Sequence, residues 1–231
     1  PLPAACVVGL TTFAQPDAPR VEAARQAGVP TEAWVMPEPA DLWAEVYRWE
    51  CATALLGVLL GINPFDEPNV RSAKDATAAV LEGRGEPEGP ALTFDVGRLV
   101  DIDGPLAGWL EELSSADTLV VLAWLAPTEV NQHRLESLRT RLEERTEAAV
   151  STQFGPRYLH STGQLHKGGP GRGRFVFVHD LHDVEGDDAG PVVPGRGYRL
   201  ARLCRAQAMG DVMALQQRGR TVAVGTITAA S

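Results

Sequence analysis

The stretch TLVVLAWL, residues 118–125, decides the fold. After its opening threonine it is uninterruptedly apolar. It is too short for a buried helix, so it reads as a strand covered on both faces. A strongly charged segment follows, and its spacing predicts a helix over 129–145. Leu135, Leu138 and Leu142 form the apolar stripe of that helix, and its charges form a solvated face. Strands follow over 150–154 and 174–178. Strand, helix and strand in this order indicate parallel α/β architecture.

The same alternation extends outward. Upstream, residues 4–10 read as a strand, and 19–28 as a helix that Asp17 caps and Gly28 ends. Residues 32–36 read as a second strand. A long helix over 41–60 has apolar residues on nearly every face after Trp49, which predicts that it is largely buried. INPFDEP, residues 62–68, breaks it, and another helix runs over 69–83. GRGEPEGP, residues 83–90, is a solvated loop and the best candidate for a boundary between segments 1–83 and 90–231. A helix over 104–114 precedes the central strand. Downstream, a helix over 198–218 leads to a last strand over 221–227. The expected fold is α/β, a mostly parallel three-layer arrangement with helices on both faces of the sheet.

Composition narrows the partners. Of 231 residues, 44% are hydrophobic and 22% charged, an ordinary globular balance. The formal net charge of −9 argues against nucleic acid or an anionic membrane as partner. The longest apolar run, residues 51–62, is far too short to span a bilayer. Cys6, Cys51 and Cys204 lie far apart without metal-ligand spacing, as expected of reduced thiols in a cytoplasmic protein. PLPAACVVGL opens the sequence like an internal strand, without signal-peptide features, which suggests a piece of a longer polypeptide.

Two segments carry chemistry. In LLGINPFDEPNVRSAK, residues 59–74, proline and aspartate set the entry to a helix whose free N–H groups favour an anion. Glu67 and Lys74 would share one helix face about 10 Å apart, a span that brackets a hexose. The alternative is a capped helix with an exposed lysine. The second segment, FGPRYLHSTGQLHKGGP, residues 154–170, packs Arg157, His160, Ser161, Thr162, Gln164, His166 and Lys167 between glycines. Cations suit phosphate, hydroxyls and amides suit sugar oxygens, and imidazole shuttles protons near neutral pH. The alternative is a polar connection between two strands.

Residues 59–74 resemble the second signature of the glucose-6-phosphate isomerase family, Asn-x-Phe-Asp-Gln-x-Gly-Val-Glu-x-x-Lys. Asn63, Phe65, Asp66, Val70 and Lys74 match it. Glu67 stands in place of the family's glutamine, Asn69 in place of its glycine and Arg71 in place of its glutamate. Residues 154–170 are similar to the same region of bacterial bifunctional transaldolase/glucose-6-phosphate isomerases. More loosely, they resemble the Gln-His-Ser-x-x-Gln-Leu-x-His stretch of ordinary isomerases, which there precedes the lysine motif. Similarity continues through YRWECATALLG (47–57) and AQAMGDVMALQQRGR (206–220).

The resemblance implies a C-terminal part of an isomerase with a sugar-isomerase-like fold. Lys74 would assist ring opening and His160 would be catalytic. A phosphorylated hexose would be the ligand, held also by Glu67, Arg157, Ser161, Thr162, Gln164, His166 and Lys167. The family's glutamate base lies in a Glu-Ser-x-Gly-Lys motif that this sequence lacks. An upstream domain or chain is therefore expected to complete the site, and a homo-oligomer is possible. No cofactor and no metal are expected. His179, Asp180, His182 and Asp183, with Asp187 and Asp188 beyond them, invite a metal reading, but a strand end does not aim both histidines at one ion. GGPGRG, residues 168–173, is interrupted by Pro170 and is not a dinucleotide loop. Trp43, Trp49, Trp109 and Trp124 are expected in the core.

Overall fold

A computed structural model describes residues 7–12, 18–66, 68–85, 87, 89–96, 98, 101–169, 171–180 and 190–227. The chain divides into two compact units, 1–66 and 67–231. The division falls just ahead of the helix carrying Lys74. The 83–90 tract lies inside the second unit, because that helix packs along a helix near the C-terminus.

In the first unit β1 (Val7–Thr12) and β2 (Thr31–Met36) pair in parallel, with α1 (Ala18–Gln26) between them. Residues 4–6 and the Asp17 cap lie outside the described residues. The long helix α2 (Pro39–Leu60) starts at a capping box in which the Glu38 N–H donates to the Asp41 carboxylate at 2.9 Å. It ends at Gly61, whose φ of 66° is left-handed. The burial expected of α2 is not found. Trp43 is 73% exposed and Leu59 is 82% exposed, and Tyr47, Trp49 and Leu55 are also exposed. Only Glu45 and Gly57 of this helix are buried. A two-stranded ribbon is too narrow to cover the whole circumference of a 22-residue helix. For the same reason Trp43 and Trp49 are not core residues, whereas Trp124 is and Trp109 packs at the core's edge.

The second unit holds a five-stranded sheet in which every pairing is parallel. Its strands are β3 (Leu92–Val96), β4 (Thr118–Trp124), β5 (Ala149–Phe154), β6 (Gly173–His179) and β7 (Thr221–Ile227), in the order β3-β7-β6-β4-β5. Strand β3 was not evident in the sequence. The helices are α3 (Pro68–Leu81), α4 (Ala107–Glu112), α5 (Glu129–Glu143), α6 (Gly163–Gly168) and α7 (Leu200–Gln217).

Alternation along β4 builds two cores. Leu119, Val121 and Ala123 face α4 and α5, meeting Leu110, Leu135, Leu138 and Leu142. Val120, Leu122 and Trp124 point the other way, with Phe175 and Phe177 of β6, and meet Ala208, Val212 and Leu215 of α7. The result is a three-layer α/β unit with helices on both faces of the sheet. Among the described residues no helix is long and apolar enough to cross a membrane.

On the α7 side a second helix layer forms, because α3 packs against α7. Gly210 makes the close approach possible. A Cβ there would lie 2.7 Å from the Thr77 backbone N and 2.9 Å from its Cα. Gly210→Ala is therefore expected to destabilise the chain by about 1–3 kcal/mol despite alanine's better helix propensity. Gly108 of α4 faces open space, so Gly108→Ala should stabilise by about 0.5–1 kcal/mol. Denaturant unfolding of the two variants checks this, and equal effects would contradict the close α3–α7 contact.

Candidate functional site

Strand β5 ends at a cis Gly155–Pro156 bond, after which the chain makes a short 3-10 turn, Arg157–His160, and enters α6. The turn sends Tyr158 inward, where it is 2% exposed and stands edge-on to Trp124. Its neighbours His160 and Arg157 face outward. Helix α6 buries Gly163, His166 and Lys167 together, the helical spacing of one inward face. Arg220 pins the end of this helix, donating to the carbonyls of Lys167 at 3.0 Å and Gly169 at 2.6 Å.

The inward face meets Asp211, on α7 one residue beyond Gly210. Lys167 Nζ forms an ion pair with Asp211 Oδ1, with side chains only 5% and 1% exposed. Tyr158 Oη donates to Asp211 Oδ2 at 2.7 Å, and Lys167 Nζ also reaches the Gly163 carbonyl at 3.4 Å. Burial raises the tyrosine's pKa well above its ordinary value, and the adjacent Asp211 charge adds to the effect. The phenol therefore stays protonated and donating.

Between α3, α6 and α7 lies a cavity of about 560 Å³, a volume suited to a small-molecule ligand. Ala73, Lys74, Thr77, Ala78 and Leu81 of α3 line it, with Glu82 beyond. Leu159, His160, Gly163, Gln164 and Lys167 come from the segment after β5, Gln207 and Asp211 from α7, and Arg196 and Tyr198 from the loop before it. Lys74 and His160, from separate sequence motifs, thus border one space. Gln164 Nε2 is buried without a hydrogen-bond partner among the described residues. Lys74 and Arg196 have no ion-pair partner among them.

The cavity takes in only part of the expected residue set. Glu67 lies outside the described residues. Arg157 and Ser161 are exposed and do not line the cavity, and the Ser161 hydroxyl donates to the Tyr158 carbonyl at 3.3 Å. Thr162 also lies off the cavity and donates to Gln153 Oε1 at 2.5 Å, joining the turn to β5. His166 is a core residue packed between the rings of Tyr158 and Phe175. Sequence reading missed Arg196, Tyr198, Gln207 and Asp211. Asp211 left one signal, a lone acid on the face of α7 that also carries Ala208, Val212 and Leu215. Among the described residues no group of three or more His, Cys, Asp or Glu side chains could hold a metal ion. His182, Asp183, Asp187 and Asp188 lie outside them.

The class the fold and cavity define is a three-layer α/β protein with a ligand-sized pocket beside its parallel sheet. No family model matches the chain, and no curated protein matches it. Among solved structures it is similar to hypothetical protein TT0462 from Thermus thermophilus, at 18% identity and a TM-score of 0.41. That match covers 94% of this chain and 51% of the other, so the chain spans about half the length of that protein.

Burial drives the His166 pKa down from 6.5 to about 4, with the neighbouring Lys167 charge adding and Asp211 opposing. The folded imidazole is therefore neutral where the unfolded one takes a proton. Its contribution to stability is complete above pH 6.5 and is lost as pH falls toward 4. His166→Phe should remove up to about 1.4 kcal/mol per pH unit from the stability slope in this window. Urea unfolding at several pH values checks it, and identical slopes for both proteins would contradict the buried, neutral imidazole.

Proposed function

We propose that this chain is the C-terminal portion of a glucose-6-phosphate isomerase, interconverting glucose 6-phosphate and fructose 6-phosphate by ring opening and enediol proton transfer. The observation that carries the reading is that Lys74 and His160, drawn from two distant isomerase-like motifs, line one cavity. An ammonium and an imidazole at the same hexose supply what ring opening needs. One group donates to the ring oxygen as its C1 bond breaks, and the other takes the proton from the C1 hydroxyl. Gln164, with its unused amide N–H, is placed to donate to a sugar oxygen.

The subsequent C1–C2 proton transfer needs a carboxylate or equivalent base. Among the described residues, the two carboxylates lining the cavity are both engaged, Asp211 with Lys167 and Tyr158, and Glu82 with Arg84. The base accordingly comes from another domain or chain, with which this chain assembles the complete enzyme. The same observation supports a second reading, a sugar-phosphate binding module with no turnover of its own.

A coupled isomerase assay separates the two. The purified chain alone is expected to give no turnover, and addition of the remaining isomerase sequence to give activity. Binding without turnover in both cases would favour the module. Robust turnover by the chain alone would overturn the assignment of the base to another domain or chain. In the assembled enzyme Lys74→Ala should lower kcat by about 10²–10⁴-fold. Lys74 is exposed on α3, so the melting temperature should barely change. Full activity in a well-folded Lys74→Ala protein would make Lys74 an ordinary surface charge.

A further inference from the structure

The cavity contains cations of two kinds. Arg196 borders it with no carboxylate partner among the described residues, so its charge is available to an anion. Lys167 borders it too, but its charge is already matched by Asp211, and both side chains are almost wholly buried. In so dry a place an arriving phosphate would meet the Asp211 carboxylate as well as the ammonium, and repulsion would offset much of the attraction.

A hydroxyl suits the pair better. It can accept from Nζ and donate back to the carboxylate, while a phosphate dianion only accepts. The ammonium has three N–H bonds. Nζ donates weakly to the Gly163 carbonyl at 3.4 Å and is ion-paired with Asp211 Oδ1, which leaves at least one N–H for a ligand. Tyr158 Oη holds the other carboxylate oxygen at 2.7 Å and fixes its orientation.

We infer that the Lys167–Asp211 pair reads a neutral hydroxyl of the ligand, while Arg196 meets its phosphate. This rests on the sugar-phosphate reading of the cavity and reassigns Lys167 from phosphate contact to specificity determinant. Asp211 makes the lysine selective by cancelling its net charge, and its carboxylate is the acceptor for the same hydroxyl.

The test measures binding of glucitol 6-phosphate and of inorganic phosphate to the purified chain by calorimetry. Lys167→Met combined with Asp211→Asn removes both buried charges together, so neither is left unpaired. This double variant should bind glucitol 6-phosphate about 10- to 100-fold more weakly, with phosphate affinity changed less than about twofold. Arg196→Ala should weaken both ligands. Equal loss of both in the double variant would make Lys167 a phosphate contact and overturn the inference, as would no loss of either. A measurement on the unmodified chain needs no variant to fold. Butyl phosphate, which lacks hydroxyls, should bind no more tightly than inorganic phosphate, and tighter binding than glucitol 6-phosphate would also overturn the inference. If the unmodified chain holds phosphate but prefers no sugar phosphate over it, the sugar-phosphate reading itself falls, and the inference with it.

Discussion

Lys167 and Asp211 meet in the interior of the second unit with almost no access to water. Removing either partner alone would leave a bare charge in a low-dielectric interior, at a cost of about 3–5 kcal/mol. The ammonium of α6 must therefore stay on the carboxylate of α7. Tyr158 donates to the same carboxylate and so joins the turn after β5 to this junction. Arg220, just before β7, holds the carbonyl end of α6 from the far side. A six-residue helix that could not persist alone is thus locked in place, and the cavity wall it forms has a fixed geometry.

The rest of the site depends on how closely the other wall approaches. Gly210, beside Asp211, lets α3 come onto α7 at backbone distance, and α3 carries Lys74 to the rim of the space whose floor holds Lys167. Three helices that share little sequence proximity therefore converge by two means, a missing side chain and a buried ion pair. His160 completes the border from the 3-10 turn, pointing outward while Tyr158 points in. Glycine and aspartate at neighbouring positions of α7 fix the two walls.

Much of the sheet was legible in the sequence because its signal is local. Residues 118–125 carry an unbroken apolar run, and the stripe Leu135, Leu138, Leu142 has helical spacing. The structure places both where that reading puts them. Strand β3 escaped because it is a short edge strand, paired among the described residues only with β7 and interrupted by Asp95 at its fourth position. The burial of α2 was misjudged because an apolar surface states a need for cover without saying that cover exists. Site residues were harder still. Side-chain type alone could not separate His166 from Gln164, and the α6 helical face that buries the first leaves the second at the cavity. Asp211 pairs with a residue more than forty positions away, and no local pattern marks such a partner.

The proposed function requires Lys74 and His160 to act on one sugar phosphate in the cavity that both border. A crystal structure of the chain with fructose 6-phosphate tests it most directly. The ligand is expected between α3, α6 and α7, with Lys74 and His160 both contacting the same hexose. A ligand bound elsewhere on the chain, or contacting only one of the two, would contradict it.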